Sequence, residues 1–191
     1  MTLRVSHVSL QQHTGGAAIA TLRIHRALRA HGEGLGVDSH LRARYGSGGD
    51  PSIEVGPPLG SNPFWLRLQP RLTALARRGF MPAYPITHST AWPSTGLGRE
   101  LSRSDSDLIH LHWLGDQILS IEEIGSLPQP LVWTLHDQWA FCGAEHYTSP
   151  PLPGETASSD ERFAAGYSRA SRRAHEAGPA GLIRSYPEAC G

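Results

Sequence analysis

Residues 107–143, DLIHLHWLGDQILSIEEIGSLPQPLVWTLHDQWAFCG, constrain the fold more than any other stretch. Two short apolar runs, 108–114 and 131–135, are bounded by polar and turn residues, the pattern of buried strands. Between them Ile118, Leu119, Ile121, Ile124 and Leu127 recur at roughly helical spacing. Leu127-Pro128-Gln129-Pro130 then stops the helix, because proline removes a donor and restricts the residue before it. Strand, helix and strand in so short a span predict a βαβ unit, and with it a parallel sheet with a right-handed crossover.

Both predicted strands end in chemically capable residues: His110, His112 and Trp113 on the first, Thr134, His136 and Asp137 on the second. Open parallel sheets bind ligands at the carboxyl ends of their strands. Two neighbouring strand ends therefore aim His112 and the His136-Asp137 pair at one crevice. His110 reads as a hydrogen-bonded core residue, since buried polar groups find partners.

Residues 3–10 alternate, with Leu3, Val5, His7 and Ser9 on one face, and predict a first strand. A polar loop ends in Gly15-Gly16, and 17–31 then reads as a helix. Ala17, Ala20, Ile24, Ala27 and Leu28 form its apolar face, Arg23, Arg26 and Arg29 its polar one, and Gly32 and Gly34 its stop. The loop between strand and helix is suited to an anion or sugar phosphate, because free N–H groups and the helix dipole point out of it. It is neither a GxGxxG nor a P-loop pattern, and a tight turn needing glycine explains it equally well. A second strand is expected at 37–41, an exposed loop at 42–60, and a helix at 64–78 broken at Pro70. That helix would lay Phe64, Trp65, Leu68, Leu72 and Leu75 on the sheet. Residues 79–93 read as loop and 95–104 as a short helix.

The chain has 191 residues, enough for one domain with a proper core. Seventeen basic residues, all arginine, balance seventeen acidic ones. That balance argues against nucleic acid as a partner, which wants a basic surplus. Cys142 and Cys190 make no disulfide framework and match no zinc motif, which fits a reducing compartment. No apolar run approaches the ~20 residues of a membrane span, and the amino terminus has no apolar signal core. From 149 onward the chain turns rich in Pro, Gly, Ser, Ala and Arg and loses periodicity. Such a segment reads as a poorly ordered tail.

The blocks VSHVSL, TGGAAIATLRIHRALRAHGEGLGVDSHL, DLIHLHWL and PLVWTLHDQWAFCGAEHY resemble the amino-terminal half of a family 4, GT-B-fold glycosyltransferase. In pattern they are similar to bacterial enzymes of exopolysaccharide and colanic-acid-type synthesis. The resemblance covers roughly 3–148, weakest over 45–100. It implies a Rossmann-like parallel sheet flanked by helices at 1–148, one half of a two-domain cleft, with the tail at 149–191. It implies retaining transfer from a nucleotide-sugar donor to a glycan or lipid-linked acceptor, with no tightly bound metal or other cofactor. Gly15 and Gly16 match the glycine loop near donor phosphate and acceptor, His136 the histidine near the transferred sugar, and Asp137 follows it. His112 and Trp113 join them as substrate-binding candidates. The expected setting is the cytoplasm, with room for peripheral association at the inner face of the membrane.

Family members carry a second, donor-binding domain, whereas this sequence stops at Gly191. The expectation is therefore a truncated amino-terminal portion, inactive alone. Two rival readings stand beside it. One is a metal-dependent hydrolase using the His110-Leu111-His112 pair with His136-Asp137. The other is a non-catalytic α/β module or gene remnant.

Overall fold

The structure of the protein, a computed structural model, describes residues 2–58, 62–80, 89, 91, 93–115, 118–140 and 146. Strands β1 (Leu3–Gln11), β2 (Val37–Tyr45), β3 (Ile53–Val55), β4 (Leu108–Leu111) and β5 (Leu131–Trp133) form one sheet. Its order is β3-β2-β1-β4-β5, and every pairing is parallel. Helix α1 (Gly16–His31) connects β1 to β2. Helices α2 (Pro63–Phe80) and α3 (Leu97–Ser102) lie between β3 and β4, and α4 (Ile121–Gly125) lies between β4 and β5. The chain builds outward from β1 in one direction and from β4 in the other. With right-handed crossovers, that reversal puts α1 and α4 on opposite faces. The result is an α/β, Rossmann-like parallel sheet flanked by helices.

The face opposite α1 holds the main core. Val8, Leu10, Ile109 and Leu111 pack there with Leu97 and Leu101 of α3, Ile124 of α4, and Leu114, Ile118, Leu119 and Trp139 from loops. Each fully buried Leu or Ile contributes about 1.5–3 kcal/mol. At the β2 side of this face Arg42 is buried. Its Nε donates to Glu100 Oε1 at 2.6 Å, and its terminal nitrogens donate to the carbonyls of Ala43, Gly56 and Pro57. A buried guanidinium is tolerated because its donors are met this completely.

Four details depart from the sequence reading. First, α1 turns a different face inward. Ala18, Thr21 and His25 are buried, whereas Ala27 is exposed and Ala20, Ile24 and Leu28 are only half-buried. Polar residues can face the sheet because they are satisfied there. Thr21 Oγ1 donates to Ala17 O, and His25 meets Ser39 Oγ and Ser52 Oγ at 2.9 and 3.0 Å.

Second, the region read as an exposed loop contains the end of β2, where Arg42 and Ala43 are buried, and also β3, whose three residues are too few to show a period. Third, α2 continues through Pro70, and its apolar residues do not all reach the sheet: Phe64 and Leu75 are 70% and 67% exposed. Fourth, α4 is one turn of helix rather than the span 118–127, since Ile118 and Leu119 belong to the preceding turn. The tail at 149–191 and Cys142 lie outside the described residues.

A histidine-lined candidate site at the carboxyl edge

In an all-parallel sheet the loops after β1, β4 and β5 leave from one edge. Gly15-Gly16, His112-Trp113 and His136-Asp137 therefore share that edge. The strand order reverses between β1 and β4, so the edge includes the switch point where such sheets open a crevice. Beyond Leu111 the chain stays against β1, with His112 N donating to Val8 O at 3.0 Å and Leu10 N donating to Trp113 O at 3.3 Å.

Gly15 precedes α1 with φ +91°, a conformation that favours glycine. No side chain caps the helix, and both glycines are exposed. A Cβ placed on either would meet nothing within 4 Å. The side-chain positions of both glycines thus face open space at the start of α1. Beside this loop, buried Gln12 accepts from Ser47 N and Gly48 N at 2.8 and 3.1 Å, which ties the loop after β2 to the same edge.

Behind the rim runs a row of imidazoles. The register pairs His7 of β1 with His110 of β4, and His112 follows on the same face. His7 Nδ1 lies 3.1 Å from His112 Nε2, and His112 Nδ1 lies 3.2 Å from His136 Nε2. His110 Nε2 meets Thr134 Oγ1 at 2.7 Å. His112 is only 1% exposed, so it does not line open crevice; it reaches the rim through half-buried His136.

Burial pushes the His7 and His112 imidazoles down to about 3 and about 2, helped by His110 beside each. Burial also lowers His110, with His136 adding to it. His136 falls below its ordinary value by burial, although Asp137 pulls the other way. All four are therefore neutral near pH 7.

Asp137 points away from this row. Its Oδ2 accepts from Trp113 Nε1 and His146 Nδ1, and its Oδ1 accepts from Trp139 N at 3.0 Å. Trp113 Nε1 also lies 3.2 Å from His146 Nδ1, but both nitrogens donate to the same carboxylate. Burial alone would raise this carboxyl. The His146 hydrogen bond, the Trp139 N–H, the His146 charge and the Trp113 N–H outweigh it and hold the group below its ordinary value.

His146 Nε2 meets Ser89 Oγ at 2.7 Å. Ser89, His146 and Asp137 thus stand in the order of an acyl-transfer triad. Ser89 and His146 are 3% and 1% exposed, and Trp139 stacks on the imidazole, so both side chains are buried. Their bonds instead brace the turn that carries His136. A hydrolytic metal set that includes Asp137 would have to pull it from Trp113 and His146.

His7 and His146 escaped the sequence reading. His7 had a detectable signal, its place on the same alternating face as Val5 and Ser9. His146, nine residues beyond Asp137 on an irregular segment, had none.

No protein-family model, no curated protein and no solved structure matches this chain. What fold and site define is a Rossmann-like α/β domain with a glycine loop and a histidine row at its switch-point edge. Among the described residues no helix is long and apolar enough to cross a membrane.

Proposed function

We propose that this domain is the acceptor-side half of a retaining glycosyltransferase, with a nucleotide-sugar as donor and a glycan or lipid-linked acceptor. The observation that supports the reading is the meeting of two features at the switch point. An uncapped helix amino terminus opens after Gly15, and neutral His136 stands two strands away on the same edge. Glycosyl transfer needs donors for a departing phosphate and a neutral group for sugar hydroxyls. The α1 N–H groups supply the first, and His136, braced through Asp137, supplies the second. His112 acts behind His136 as its hydrogen-bond partner, and Trp113 holds Asp137 in place.

On this domain alone each hydrogen bond competes with water, so its net gain is only about 1 kcal/mol. Nucleotide-sugar binding by the 191-residue chain should therefore be weak, about millimolar, and transfer absent. Chemical-shift mapping with common nucleotide-sugars should show perturbations at Gly15, Gly16 and His136. Gly16→Asp should abolish them by placing a like charge at the helix amino terminus while leaving the fold intact. Shifts confined to another edge of the sheet would sink the reading. Micromolar donor binding with turnover, lost on His136→Ala, would instead make this chain a complete enzyme.

A further inference from the structure

The histidine row contains a second grouping, of which the proposed glycosyl transfer uses only His112, behind His136. One ring nitrogen from each of His7, His110 and His112 lies within 4.8 Å of the others. We propose that these three imidazoles form a binding site for a divalent d-block cation, zinc foremost.

Three observations carry this. The spacing is close to that of a metal site. Two nitrogens bound to one tetrahedral zinc at 2.0–2.1 Å stand about 3.3 Å apart, and His7 Nδ1 and His112 Nε2 stand 3.1 Å apart. That pair is within a few tenths of an ångström of the zinc spacing, and His110 offers a nitrogen within 4.8 Å of both. Next, His7 is wholly buried, at 0% exposed, so its ring cannot turn out to solvent and its Nδ1 stays beside His112 Nε2. Finally, outer partners of a metal centre are in place for two of the three ligands. Thr134 Oγ1 orients His110, and His136 orients His112, as metal-bound imidazoles require of their second nitrogen.

Ligand chemistry narrows the ion. An all-imidazole set suits zinc, copper, nickel or cobalt, and offers no oxygen to magnesium or calcium. Burial keeps His7 and His112 in the neutral, ligating form. His110 is the half-buried member of the three. Three protein ligands leave one tetrahedral position for water or another donor. This site differs from the hydrolytic set considered from sequence: it takes His7 and leaves Asp137 with Trp113 and His146. It stands independently of the glycosyltransferase reading.

The test uses the 191-residue chain stripped with chelator and titrated calorimetrically with zinc, then with cobalt under visible spectroscopy. One equivalent of zinc should bind, and cobalt should give the intense absorption of a tetrahedral site. His110→Ala, a change at the half-buried member, should weaken zinc about 100-fold or more, since loss of an outer partner alone costs 10–100-fold. His31→Ala, on the exposed end of α1, should change nothing. Imidazole nitrogen chemical shifts of the unaltered protein give a readout that no folding defect can confuse. Zinc should move those of His7, His110 and His112 together. Absence of stoichiometric binding, unmoved shifts at these three histidines, or binding that His110→Ala leaves unchanged would overturn the proposal.

Discussion

In chelator, the protein should unfold in acid at about pH 5, well above the range where carboxylates alone would drive it. His7 and His112 have folded values near 3 and 2 against an ordinary 6.5, chiefly because they are buried. Below pH 6.5 the unfolded chain binds protons that the native chain refuses. Stability therefore falls as pH drops, by up to about 1.4 kcal/mol per pH unit for each group. The loss begins at the unfolded value and continues until the folded values are reached. His25, His110 and His136 are shifted in the same direction and steepen the fall.

Two fully engaged imidazoles thus remove about 3 kcal/mol per pH unit, a large share of a typical 5–15 kcal/mol. Urea unfolding measured at half-unit steps from pH 7.5 to pH 4 checks this. His112→Gln should reduce the slope by about one proton. A stability curve that stays flat from pH 6.5 to pH 4.5 would show that these imidazoles are protonated in the native state.

Replacing Glu123 by alanine should cost about 3–5 kcal/mol, among the largest effects of any single substitution here. Its carboxylate is buried and accepts from four backbone N–H groups: Thr95, Gly96, Gly98 and Ser120, at 3.0, 2.7, 3.2 and 2.9 Å. Thr95 Oγ1 approaches at 3.3 Å. Alanine would strand these donors in the interior, and each buried unsatisfied donor costs about 1–3 kcal/mol. One side chain thereby anchors the starts of both α3 and α4 beneath the main core. Gly98 passes so close to Glu123 that a Cβ there would lie 2.7 Å from the Glu123 Cβ. Glu123→Gln keeps an acceptor but turns an amide N–H₂ toward the same donors, so it should lose less than alanine does. Denaturant midpoints of the two variants check the order. A loss below about 1 kcal/mol for alanine would mean that water or relaxation replaces the carboxylate.

Glu123 also marks the line between local and tertiary information. Ser120 and Glu123 form a capping box, with Ser120 Oγ accepting from Glu123 N and the carboxylate reaching back to Ser120 N. The S-x-x-E spacing at 120–123 announces that much, since both partners lie within one turn. The Thr95, Gly96 and Gly98 donors come from a segment more than twenty residues earlier. Only the folded chain brings them together.

The sequence by itself determined the βαβ unit and the parallel sheet, because alternation, short apolar runs and proline stops are properties of neighbouring residues. It also determined that the glycine loop, His112 and the His136-Asp137 pair share an edge, which follows once every strand runs the same way. Tertiary structure decided which groups touch. The inward face of α1 was misjudged from sequence because Thr21 and His25 look like surface residues until Ala17, Ser39 and Ser52 satisfy them. That Asp137 accepts from Trp113 and His146 is likewise tertiary information, since no local pattern pairs them. The grouping of His7 with His110 and His112 depends on the register of two strands a hundred residues apart. Local pattern says which way a side chain alternates, but burial and partners are properties of the assembled sheet.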